Sequence, residues 1–109
     1  IVDNNKIQKM STVENVMSIK DWGSKFTSFG CNVKEIDGHN VEEIENTFKT
    51  LDKEKVNVII ANTIKGKGLS LMENDPRWHW RLPSKKELKT FVSELEISEE
   101  ELEECKKHI

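Results

Sequence analysis

Apolar residues along the chain fall into short periodic runs separated by turn residues. Ile19, Trp22, Phe26 and Phe29 recur at intervals of three and four, which places them on one face of a helix over roughly residues 14 to 29, and Gly30 supplies a C-terminal stop. "CNVKEI" then alternates as a short strand does, "DG" marks a turn, and Asn40 and Glu43 have the spacing of an Asn-led capping box. Val41, Ile44, Phe48 and Leu51 make the buried stripe of a second helix. Residues 56 to 61, "VNVIIA", are β-branched and nearly all apolar, the pattern of a strand covered on both faces, as in a parallel sheet.

Ile1 and Val2 read as the tail of a strand, so the order is strand, helix, strand, helix, strand. That alternation predicts an α/β fold built of βαβ units with right-handed crossovers. A strand tail at the first residue, without an initiating methionine, also predicts a natural polypeptide that continues upstream. Downstream, "PSKKELKTFVSELE" opens with a Ser84 to Glu87 capping box and sets Leu88, Phe91 or Val92, and Leu95 on one face. "SEEELEECKKHI" repeats the device with Ser98 and Glu101, and ends on Lys106, Lys107 and His108, which suits a helix dipole. Two short C-terminal helices are expected.

Length and charge narrow this picture. The 109 residues hold one small domain or part of one. A net charge of -3, with lysines and glutamates interleaved, leaves no broad basic face for nucleic acid. Cys31 and Cys105 fit neither a disulfide framework nor a metal pair, which reads as two free thiols in a reducing compartment. With neither a long apolar run nor a signal-peptide pattern, membrane insertion and secretion are not expected, and the predicted location is cytoplasmic.

In open α/β sheets ligands bind outside the carboxyl ends of strands, which directs attention to "DNNKIQ" and "NTIKGKG". In the second, Gly66 and Gly68 would let backbone N–H groups approach a phosphate, and Lys65 or Lys67 would add charge. It lacks the Walker spacing, and a basic turn leaving a strand explains the composition as well. In the first, Asn5 offers an amide oxygen beside backbone carbonyls, hard ligands suited to Mg²⁺, although Asn and Asp after a strand are also ordinary turn residues. His79, between Trp78 and Trp80, is an acid–base group, a phosphate donor, a capped surface residue or an incidental member of a buried aromatic cluster, with partial burial expected. His39 in "DGHN" reads as a turn residue, and the histidines and cysteines have no zinc spacing.

Taken in order, "IVDNNKIQ", "FGCNVKEIDGHNVEEI", "VIIANTIKGKGLSLMEND" and "WHWRLPSKKEL" resemble the thiamine-diphosphate-binding half of transketolases, in the form made as a separate N-terminal subunit. The resemblance covers residues 1 to about 96. It implies a partial doubly wound parallel sheet with C-terminal helices, the whole chain 1–109 being the C-terminal part of one thiamine-diphosphate-binding domain. It implies thiamine diphosphate and Mg²⁺ as cofactors, sugar phosphates as substrates, and transfer of a two-carbon ketol unit from a ketose phosphate to an aldose phosphate, as in the pentose phosphate pathway. It also implies a transketolase C-terminal subunit or domain as partner, in a dimer or heterotetramer. By motif, Asn5 and the carbonyl of Ile7 would bind the metal, Lys65 would sit at the cofactor, and His79 would touch the diphosphate and handle protons.

Two features depart from the family pattern. Trp80 and Leu82 stand where the family has glycine and a small residue, so Trp80 is expected to crowd His79 or turn it away. The family's upstream "GDG" segment, with its metal-binding aspartate, and the partner's catalytic glutamate are not among these residues, so residues 1 to 109 alone are expected to be inactive. The alternatives are a truncated non-catalytic relative acting as an interaction module, or a component of another thiamine-diphosphate enzyme.

Overall fold

The computed structural model describes residues 1–107, and of Cys105 and Lys106 only the backbone; the expected thiol of Cys105 and helix-end placement of His108 lie outside the described residues. The core is a three-stranded parallel sheet in the order β1 (Val2–Asp3), β5 (Asn57–Asn62), β4 (Asn32–Asp37). Between β1 and β4 lie a hairpin, β2 (Ile7–Gln8) and β3 (Ser11–Thr12), and two helices, α1 (Val13–Met17) and α2 (Trp22–Ser28); α3 (Val41–Lys49) joins β4 to β5. The chain therefore steps from β1 past β5 to β4 and then back. Right-handed crossovers in opposite directions put their helices on opposite faces. The side chains agree: Glu35 and Ile60 line a cavity with Trp22 and Gly23 of α2, whereas Lys34, one residue out of phase, donates from Nζ to the Thr50 carbonyl at the end of α3, 2.9 Å away. This is the doubly wound arrangement in partial form.

β5 is covered on both faces, as its sequence predicts, with Val58, Ile59 and Ile60 all buried and Ile60 only 1% exposed. Asn57 bounds it at the start by local bonding: its Nδ2 donates to the carbonyls of Asp52 and Lys55 and so closes the turn before the strand. After the sheet come a 3-10 turn (Pro76–His79) and the helices α4 (Lys85–Glu94) and α5 (Glu99–Lys106). The Ser84–Glu87 box closes in both directions, and so does the Ser98–Glu101 pair. On α4, Phe91 is the buried member of the stripe, while Leu88 and Leu95 are exposed.

Three expectations need correction. The single helix over 14–29 is two helices, broken at 18–21, because Asp21 adopts a left-handed φ of 52° and caps α2 by accepting from the Ser24 N–H at 2.9 Å. Ile19, Trp22 and Phe26 are half-buried, with Trp22 stacked on Phe26 at 5.9 Å, but Phe29 is 82% exposed. The stripe of α3 is not buried as a whole: Val41 is 76% and Phe48 50% exposed, and Thr47 is the buried residue. The helix lies over β4, an edge strand, so only its Ile44–Thr47 strip meets the sheet.

Candidate functional site

The carboxyl ends of the three parallel strands are stitched together by hydrogen bonds. After β1, the Asn4 N–H donates to the Ala61 carbonyl at 2.8 Å, and the Asp3 carboxylate accepts from both Asn5 Nδ2, at 3.1 Å, and the Thr63 hydroxyl. After β4, the Gly38 N–H donates to the Asn62 carbonyl at 2.8 Å, and His39 Nε2 accepts from the Ile64 N–H at 2.8 Å. "DNN", "DGH" and "NTIK" thus form one sheet edge, the place where α/β folds bind ligands. Asp3, Thr63 and His39 are members the sequence reading missed. Beside this edge a cavity of about 650 Å³ separates α1 and α2 from the sheet. Asn4 and Glu35 in its lining are linked through Asn62, Asn4 donating to Asn62 and Asn62 to Glu35.

The predicted metal residues are placed in a way that leaves oxygen available. Asn5 Oδ1 accepts from the Ile7 N–H at 2.9 Å, an Asx turn that fixes its direction; an amide oxygen has a second lone pair. The Val13 N–H donates to the Lys6 carbonyl, so in the alternating antiparallel ladder Ile7 and Thr12 are a non-hydrogen-bonded pair and the Ile7 carbonyl points away from β3. The hairpin that does this turns at Lys9, with φ 54°. These donors have the hard-oxygen chemistry of a Mg²⁺ site but are fewer than its octahedral shell requires. Among the described residues no cluster of three or more His, Cys, Asp or Glu side chains is placed to hold a metal.

The "KGKG" loop is partly closed on itself. Two of its four N–H groups are committed within the loop, that of Lys67 to the Ile64 carbonyl and that of Gly68 to the Glu73 carboxylate, and the following Leu69 donates to the Gly66 carbonyl. Glu73 also lies 3.9 Å from the Lys67 ammonium. Lys65, by contrast, has no ion-pair partner among the described residues. Its carbonyl accepts from the Asn74 N–H at 3.0 Å and ties the two ends of the loop.

That knot leads straight into the 3-10 turn that ends in His79. Asp75 caps the turn, and its carboxyl is held below the usual range chiefly by hydrogen bonds from Arg77. Trp78 is buried against Phe91 at 5.4 Å, donates from Nε1 to the Leu71 carbonyl at 2.7 Å, and carries the Arg81 guanidinium 3.8 Å above its ring. His79 itself is exposed, not partly buried as expected, because Trp78 takes the inward position. Trp80 is 69% exposed on the following residue. Lys65 thus opens a loop closed at Asn74, His79 ends the turn that follows it, and Asn5 and Ile7 come after the neighbouring strand β1.

Arg81 also pairs with Glu87 at 2.5 Å, and the Ser84 N–H, Arg81 and the Ser84 hydroxyl together pull the Glu87 carboxyl from its ordinary 4.5 down to about 2. A carboxyl depressed on folding adds stability above its unfolded value and loses it as the pH falls toward its folded value. Acid titration followed by tryptophan fluorescence is therefore expected to show stability falling between pH 4.5 and about 2, and to show less of that fall in Glu87→Gln. Equal profiles would refute the coupling of this carboxylate to the Trp78 platform.

Strand order and helix placement together define part of a doubly wound α/β domain. No family model matches the chain. It is 36% identical over 105 residues to an apulose-4-phosphate transketolase subunit of Phocaeicola vulgatus, covering 94% of this chain and 37% of that protein. It is 31% identical to the protein of the same name from Actinobacillus succinogenes, over 87% of this chain and 35% of that protein. It is 33% identical to a 6-deoxy-6-sulfo-D-fructose transketolase subunit of Clostridium sp., over 86% of this chain and 35% of that protein. The chain is a relative of transketolase subunits along most of its length, and it spans about a third of the length of these curated relatives. No helix among the described residues is long and apolar enough to cross a membrane.

Proposed function

We propose that the chain is the C-terminal part of the thiamine-diphosphate-binding domain of a cytoplasmic transketolase. In this reading it works with a second subunit or domain to transfer a two-carbon ketol unit between a ketose phosphate, or a related ketose, and an aldose phosphate. The observation that carries it is that the segments bearing Asn5 and Ile7, and Lys65, follow the paired strands β1 and β5 and are joined by the Thr63–Asp3 hydrogen bond, in a chain aligned over 94% of its length with a transketolase subunit. Thiamine diphosphate, when bound, supplies the carbon centre that accepts the ketol unit.

The chain's own residues do the rest. Asn5 Oδ1 and the Ile7 carbonyl contribute oxygen to Mg²⁺, and a metal and a lysine together suit a diphosphate. Lys65 gives a charge without a competing carboxylate, whereas Lys67 is engaged by Glu73. His79, exposed at the end of its turn, is free to exchange a proton with a sugar hydroxyl. The names of the relatives add apulose 4-phosphate and 6-deoxy-6-sulfo-D-fructose to the candidate substrates.

Calorimetry of thiamine diphosphate with Mg²⁺ on the full-length protein and its partner subunit tests the reading. Binding in the micromolar range is expected, with affinity lowered about tenfold in Lys65→Ala. Absence of binding by the parent overturns it in favour of a non-catalytic interaction module, and product analysis with 2-oxo acids distinguishes another thiamine-diphosphate enzyme.

A further inference from the structure

The "DGH" turn after β4 makes closer contact with the segment after β5 than a connection between strand and helix requires. Gly38 lies so close that a Cβ there would stand 2.4 Å from Thr63 Cγ2 and 3.1 Å from Ala61 Cβ. Its N–H holds the Asn62 carbonyl, and two residues further along the same segment the His39 ring holds the Ile64 N–H. The turn is itself rigid: Asp37 Oδ1 accepts from the His39 N–H at 2.9 Å, and Glu43 Oε2 accepts from the Asp37 N–H at 2.9 Å. An imidazole that accepts at Nε2 carries its proton on Nδ1, so the ring serves here as a neutral acceptor.

We propose that His39 is a positioning residue: by accepting the Ile64 N–H it fixes the backbone path into Lys65 and so sets where that ammonium meets the diphosphate. Ile64 immediately precedes Lys65, and its carbonyl is already committed to the Lys67 N–H. Both hydrogen-bonding groups of Ile64 are therefore tied, the first to the turn after β4 and the second to the loop. Without the ring, the N–H at the entry to the loop loses its partner and the segment gains freedom just before the lysine. His39 is exposed, so its removal leaves no hole in the core. The functional half of this inference rests on the cofactor reading above; the latch does not.

The test compares His39→Gln, whose amide oxygen reaches about as far as Nε2 and can accept, with His39→Leu, which fills similar space and cannot. Amide exchange of the 63–66 segment is followed by mass spectrometry, and thiamine diphosphate affinity by calorimetry, in the full-length protein. His39→Leu is expected to speed exchange and weaken affinity about tenfold each, the scale of one lost hydrogen bond, and His39→Gln to restore most of both. Equal behaviour of the two variants, or unchanged exchange in His39→Leu, overturns the latch. Faster exchange with unchanged affinity overturns the positioning of Lys65. A parent that binds no thiamine diphosphate overturns the cofactor reading and with it the positioning role, and exchange then decides the latch alone.

Discussion

Gly66→Ala is expected to destabilise the protein by about 3 kcal/mol, and Gly68→Ala by only about 1, although both glycines have positive φ in the same loop. Gly66 has φ 76° and Gly68 has φ 95°, so an L-residue at either position accepts a left-handed backbone at a cost of about 1 kcal/mol. Space separates them. A Cβ on Gly66 would lie 2.6 Å from the Met72 carbonyl oxygen and 2.7 Å from its carbon, backbone atoms that cannot rotate away, whereas a Cβ on Gly68 meets nothing within 4 Å. Relief at Gly66 requires the loop to open, and Lys65 is anchored there by the Asn74 N–H. For a chain of this size the melting temperature is expected to fall by roughly 15 °C in Gly66→Ala and roughly 5 °C in Gly68→Ala. Similar shifts would mean that backbone conformation alone accounts for both glycines, and that the Gly66–Met72 packing does not hold the loop.

The same loop marks the limit of what the sequence discloses. The strands were legible because "VNVIIA" and "CNVKEI" carry runs long enough to define a period, and both capping boxes because Ser and Glu three residues apart act locally. The β2–β3 hairpin was not, since its turn uses Lys9 in a conformation that normally announces itself with Gly or Asn. The break before α2 was missed for a related reason: hydrophobic spacing continues through Asp21, while the backbone does not. At the site, "KGKG" has the composition of a phosphate cradle, but N–H groups of such a loop can be satisfied internally, and only the structure shows that the Ile64 carbonyl and Glu73 have taken those of Lys67 and Gly68. His39 was read by its neighbours as a turn residue, because its bonding partner lies 25 residues further on. Lys65 was separable from Lys67 only once the ion pairs were known.

Trp78→Ala is expected to cost about 3–5 kcal/mol, in the range for a buried aromatic, and to remove activity through unfolding of the turn. The neighbouring His79→Ala is expected to leave stability within about 0.5 kcal/mol and to lower ketol transfer about a hundredfold. The two side chains are adjacent, one buried and the other exposed. Trp78 packs on Phe91, supports the Arg81 cation and satisfies the Leu71 carbonyl, so its loss exposes apolar surface and leaves a carbonyl without its donor. His79 contributes to none of these contacts and is exposed, so the function proposed for it is separable from folding. Trp78→Phe should keep the ring against Phe91 and lose mainly the indole hydrogen bond, about 1 kcal/mol, with activity largely retained. Thermal unfolding alongside a ketol-transfer assay on the assembled protein separates the cases. Full activity in His79→Ala would remove the histidine from the reaction and leave the turn as a purely structural brace for Lys65. Loss of activity without loss of stability would place the proton-handling group on the residue next to Trp80, and would show that this bulky side chain, 69% exposed, leaves the approach to His79 open.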